Sequence, residues 1–162
     1  MTTSEGFSKE SVGERSGFAI VASEWINSPP VRFDHSNVQL NLIMVFQMLC
    51  PACVLHSIPQ VKKAQQVFSR NGVQFIGLHS VFEHHNSMTS EHLRVFLHEF
   101  GVDFPVAVDA RKDNARIPIT MERYQFRGTP TTLIVSQSGE ILEHHFGIQG
   151  DMEFAANIQK HL

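Results

Sequence analysis

The stretch LNLIMVFQML at residues 40–49 is apolar on both of its alternating faces. A strand with one wet face would carry polar side chains at every second position, so this one must be covered on both sides. Covering both faces takes helices above and below, which confines the chain to a layered α/β arrangement. The run leads straight into Cys50-Pro51-Ala52-Cys53. Pro51 suits the first position of a helix, where its missing N–H is no loss. Val54, Ile58, Val61, Ala64 and Phe68 then recur at steps of three and four, predicting one apolar helical face that ends near Asn71-Gly72. Pro59 falls inside that pattern and predicts a kink.

Residues 73–78 form the next apolar run, so the unit is strand, helix, strand, with parallel pairing and a right-handed crossover. A helix is expected from about Ser90, turning Leu93, Phe96, Leu97 and Phe100 inward and stopped by Gly101. A short strand over 104–108 and a weaker helix over 119–126 follow. Residues 131–135 and 140–146 predict a hairpin across Ser138-Gly139. Asp151 is expected to cap a last helix that faces inward through Phe154, Ile158 and Leu162. Residues 17–27 are mixed in character and end at Pro29-Pro30. Residues 1–16 are polar and non-periodic, which reads as a flexible leader ahead of a single domain over 17–162.

The composition is that of a globular chain, 42% hydrophobic with thirteen Phe and only 18% charged. A net charge of −3 with ten neutral His gives no basic footprint, so neither a nucleic acid nor an anionic membrane is expected as partner. No run approaches the roughly 18–20 apolar residues that a bilayer span needs. Glu5, Lys9, Glu10, Glu14 and Arg15 leave no room for a signal peptide. With Met1 as the start, a cytoplasmic location is expected.

The chemistry lies in the cysteines. The chain has two, three positions apart. A bridge closing so short a loop stabilises little, so the pair reads as reactive and not structural. A bare C-x-x-C is also half of a zinc site, but no second cysteine pair exists to complete one. Disulfide exchange requires a thiolate, and a helix N-terminus favours the anion at Cys50. Cys53, one turn on, can reach back to resolve a mixed disulfide in an intramolecular step. Far downstream, Gly128-Thr129-Pro130-Thr131 precedes a strand. A cis Thr129–Pro130 bond would account for proline there and would present the Thr129 backbone to an extended substrate segment.

This order of elements resembles the thioredoxin superfamily, and more closely the TlpA-like redoxins of the AhpC/TSA–redoxin group. Trp25 with Asn27 resembles their W-x-N opening segment, and Phe75-Ile76-Gly77-Leu78-His79 their second strand. The helix and strand expected over 90–108 match the insertion that separates this branch from minimal thioredoxins. The likeness covers about residues 20–162. It implies a thioredoxin-like fold, a central mixed sheet flanked by helices with a TlpA-type helix–strand insertion. It also implies a redox pair at Cys50 and Cys53 and a cis-proline at Pro130. Several positions depart from the pattern. Leu49 replaces an aromatic, Met44 stands where thioredoxins bury an acid, and Pro59 lies one residue later than the usual helix proline. His56 sits where TlpA-like members often carry Glu; facing Cys53, it would accept that thiol's proton.

The expected function is therefore exchange on protein or small-molecule disulfides, an antioxidant type of activity. Cys50 is the nucleophile and Cys53 resolves, while Pro51, Thr129 and Pro130 face the substrate. An external thiol donor is required, because no flavin or nicotinamide fingerprint is present, and no cofactor is expected. Two alternatives compete. A thiol peroxidase of the peroxiredoxin type would place Thr three residues before the reactive cysteine, where this chain has Gln47. A Cys/His metal-handling or redox-sensing protein would draw on His79, His84, His85, His144 and His145, although no metal is expected. Glu83, Arg123 and Arg127 read as surface charge.

Overall fold

Six strands form one sheet: β1 (Ala22–Ile26), β2 (Leu40–Phe46), β3 (Val73–His79), β4 (Val106–Asp109), β5 (Thr131–Ser136) and β6 (Ile141–Phe146). A computed structural model describes residues 17–162, so the expected leader over 1–16 lies outside the described residues. The strand order is β1-β4-β3-β2-β5-β6. β2 pairs parallel with β3 and antiparallel with β5, and it is buried at all seven positions. Its alternation separates two cores. Leu40, Leu42, Met44 and Phe46 pack with α1 (Ile58–Phe68), α2 (Ser90–Glu99) and α4 (Asp151–Lys160). Ile43 and Val45 pack on the other face with Met121 of α3 (Ile119–Arg123), Phe126 and Phe18. An apolar run without alternation thus ends as two alternating faces, each fully covered.

Gly77 shows how tightly the first face is filled. A Cβ there would lie 3.1 Å from both the Phe46 ring and Val106, so any side chain at that point of β3 would require those neighbours to give by a few tenths of an ångström. The inserted α2 and β4 stand between β3 and α3 as expected. Asn27 closes β1 at a φ of 69°, and its side-chain amide donates to the carbonyls of Val102 and Phe104, both at 3.0 Å. The W-x-N segment thereby fastens the edge strand to the approach of β4.

Several elements differ from expectation, each for a local reason. β1 was not legible in residues 17–27, because as an edge strand it is only partly buried and shows weak alternation. β2 stops at Phe46, and residues 47–49 form a turn before Cys50. Phe100 is not inward: it is 44% exposed just beyond α2, its ring 4.5 Å from that of Phe96. α3 is shorter than expected, since Gln125 adopts a φ of 54° that ends any helix. Asp151 does not cap α4: Gly150 holds that position, and the Asp151 carboxylate instead accepts from Gln60 and Lys63.

The expected kink at Pro59 takes the form of a π turn over Cys53–Ser57, in which the Ile58 N–H donates to the Cys53 carbonyl. Pro59 has no N–H for the carbonyl of Leu55, and its ring crowds that group. Widening the preceding turn by one residue accommodates both effects. A π turn also adds one residue to the helical count, which places a proline one position late without disturbing the apolar face of α1.

Candidate active site

The site is built where β2 gives way to a helix at the carboxyl end of the parallel strands. The Cys50 N–H donates to the Gln47 carbonyl at 3.1 Å, closing the turn, and the Val54 N–H donates to the Cys50 carbonyl at 3.1 Å, opening the helix. Both cysteines are free, Cys50 half-buried and Cys53 0% exposed. The Cys53 N–H points at Cys50 Sγ from 3.3 Å, and the Cys53 thiol donates to the same sulfur at 2.7 Å. Two donors thus converge on Cys50 Sγ, an arrangement that stabilises negative charge there. Across from them the Thr129–Pro130 peptide bond is cis, and the Thr129 carbonyl lies 3.6 Å from Cys50 Sγ.

Burial, first of all, pushes the Cys53 thiol up to about 12. Its bond to Cys50 and the charge of that sulfur push in the same direction, while contacts from the Gln47 main chain and the Thr129 side chain partly oppose them. Cys53 is therefore a protonated donor at neutral pH. The accessible sulfur is the one that can attack; the sealed one can only respond.

Of the other expected residues, Pro51 is exposed at the helix start, Thr129 is half-buried and Pro130 is buried. His56 is not brought into the site. It lies on the exposed side of the π turn and makes no hydrogen bond with either cysteine. Met44 is fully buried among apolar neighbours, so no carboxylate lies at that strand position. Leu49, 56% exposed, stands beside Cys50 where the resembled family has an aromatic.

Sequence reasoning missed two supports of the redox turn. His79, 1% exposed at the end of β3, accepts the Met48 N–H through Nε2 at 3.2 Å. Burial pulls its imidazole down to about 4, so at neutral pH it is uncharged with its proton on Nδ1. Gln47 is 2% exposed; its Oε1 accepts the Phe82 N–H at 3.2 Å and its Nε2 donates to Glu83 at 3.5 Å. The available signal was a polar residue inside an otherwise apolar run. With its amide so engaged, Gln47 offers nothing to polarise a peroxide at Cys50.

The histidines are dispersed. His85 bonds the Arg116 carbonyl, and His144 lies edge-on to Phe126. Among the described residues, no three His, Cys, Asp or Glu side chains come close enough to hold a metal together. Arg127 stacks over Phe146 at 5.1 Å. No helix among the described residues is long and apolar enough to cross a membrane.

No protein-family model matches the chain. Over 98 residues it is 24% identical to the thiol-disulfide oxidoreductase ResA of Halalkalibacterium halodurans, a match covering 60% of this chain and 48% of that protein. The chain thus spans about half the length of that curated relative. The structure of StoA from Bacillus subtilis, 17% identical with a TM-score of 0.66 over 86% of this chain and 96% of that one, shares the fold. Two solved structures are more similar in sequence. A thiol-disulfide isomerase from Corynebacterium glutamicum is 39% identical, with a TM-score of 0.86 over 92% of this chain and 97% of that one. The thioredoxin-like superfamily protein SPOA0173 is also 39% identical, with a TM-score of 0.79 over 86% of this chain and 90% of that one. Identity at that level, along nearly the whole of both structures, goes beyond a shared fold: the chain belongs to the thioredoxin-like superfamily.

Proposed function

We propose that the protein catalyses dithiol–disulfide exchange through Cys50 and Cys53. The observation that carries this reading is the pairing of a half-exposed sulfur with a sealed one 2.7 Å away. The Cys50 thiolate attacks one sulfur of a partner disulfide, forming a mixed disulfide and releasing the partner's other sulfur as a thiolate. Cys53 then loses its proton and attacks Cys50 Sγ. The Cys50–Cys53 disulfide forms, the second partner thiolate leaves, and two electrons have passed to the partner. An external dithiol restores the pair by the reverse sequence.

The timing of the second step follows from what holds the Cys53 proton. Its bond to Cys50 and the charge on that sulfur both favour the thiol form of Cys53. Once Cys50 is in a mixed disulfide, that charge is gone and Cys53 is released toward the anion. The Gln47 main chain and the Thr129 side chain, which favour the anion, remain. Pro51 and Thr129, whose carbonyl lies 3.6 Å from Cys50 Sγ, form the surface that a partner meets, while Pro130 is buried behind Thr129 in the chain and is not part of that surface. In a reducing cytoplasm the dithiol form dominates and the protein acts as a reductase.

Cys53→Ser tests the order of events. The variant is expected to form a mixed disulfide with a synthetic peptide disulfide and to stop there, giving a stable covalent adduct on Cys50 that dithiothreitol releases. Turnover by Cys53→Ser at the wild-type rate would remove the resolving role and with it this mechanism.

A further inference from the structure

The Gln47 side chain takes no part in the exchange as written, yet it is almost wholly buried beside the reacting atoms. Resting on the exchange reading, we propose that Gln47 is a positioning residue for the redox pair, a clamp that joins the cysteine turn to the segment following β3. The clamp has two ends. At one, the Gln47 carbonyl accepts the Cys50 N–H, fixing the turn that sets Cys50 Sγ to receive the Cys53 N–H and thiol. At the other, the side-chain amide uses both functions, accepting from Phe82 N–H and donating to Glu83. The neighbouring Met48 N–H on His79 adds a parallel tie from the same turn to the end of β3. Consecutive residues of the redox turn are therefore cross-linked to β3 and to the chain that leaves it.

Such a clamp bears on the equilibrium, not only on stability. The Cys53 thiol's bond to Cys50 Sγ, which that turn positions, exists only in the dithiol. In the disulfide the two sulfurs are held by their covalent bond, at about 2.05 Å. Loosening the turn weakens the dithiol more than the disulfide. Loss of one such hydrogen bond corresponds to about a fivefold change in the equilibrium constant. The clamp thus sets the pair toward the reduced form.

The test is Gln47→Met, close in volume but unable to bond Phe82 or Glu83. In glutathione buffers its constant for disulfide formation is expected to rise about fivefold over wild type, and the pH profile of Cys50 alkylation to shift. A lowered Tm with the constant and the profile unchanged would reduce Gln47 to a structural residue and overturn the proposal. Should Gln47→Met not fold, Gln47→Glu decides. It sets a carboxylate against Glu83 and is expected to shift the constant as well, while Gln47→Glu combined with Glu83→Gln restores an amide–carboxylate pair in the opposite sense. Return of the double variant to within about twofold of wild type supports the clamp; equal constants for the single and double variants contradict it. Failure of wild type to exchange at all would instead sink the underlying reading, which these variants do not address.

Discussion

Cys50→Ser is expected to abolish disulfide reduction, lowering the rate on the order of a thousandfold or more, while leaving the fold intact. A serine hydroxyl fits the half-buried position and can still bond the Thr129 carbonyl, as the thiol does at 3.6 Å. It cannot supply the anion on which exchange depends, because an alcohol stays protonated where a thiol ionises. The remaining Cys53 cannot substitute, being sealed and held as the thiol. Reduction of a synthetic peptide disulfide, with dithiothreitol as donor, reads the loss directly, and a thermal melt checks the fold. Retention of more than about a tenth of the wild-type rate would mean that a different group attacks.

Acid is expected to destabilise the protein through His79, with a loss of about 3 kcal/mol between pH 7 and pH 4 assignable to that one side chain. The native imidazole titrates at about 4 because it is buried, whereas in the unfolded chain it titrates in the usual range near 6.5. Between these values the unfolded state binds the proton and the native state does not, so stability falls as pH falls through the window. Below about 4 both states are protonated and the loss is complete. Asp109, two strands from Cys50, works in the opposite direction. Burial raises its carboxyl despite bonds from Ser80, Thr120 and Met121, so acid relieves a cost there. The informative quantity is therefore the difference between wild type and His79→Gln, which keeps an acceptor for the Met48 N–H but cannot be charged. Denaturant melts at pH 7 and pH 4 should show that difference shrinking or reversing by about 3 kcal/mol. A difference independent of pH would place the acid-labile group elsewhere.

What the sequence showed well was whatever rested on many residues at once. The apolar run before Cys50 located β2 and its double cover, and the three- and four-residue spacing located α1 from Ile58 to Phe68. What it showed poorly depended on single contacts. β1 is an edge strand with exposed positions, and its placement against β4 rests on partners 75 or more residues away, including the flanking contact of Asn27 to Val102. Asp151 has the right chemistry for a cap, but Gln60 and Lys63 on α1 draw its carboxylate away. Within the site, cysteine spacing and the Thr129–Pro130 dipeptide were readable because each carries its chemistry locally. His56 was drawn toward the site by its position where the resembled family often carries Glu, and the structure leaves it exposed on the π turn. Gln47 and His79 do their work through tertiary partners on the segment after β3 and in the redox turn, and the local sequence marks only Gln47, as a polar residue in an apolar run.

Equilibration of the wild-type protein across a series of glutathione ratios, quenched by alkylation and read by mass, probes the redox pair most directly. One two-electron transition is predicted, in which Cys50 and Cys53 lose their alkylatable thiols together and regain them together on reversal. Two thiols that stay alkylatable at every ratio, or a lone glutathione adduct on Cys50 with Cys53 still free, would contradict the account.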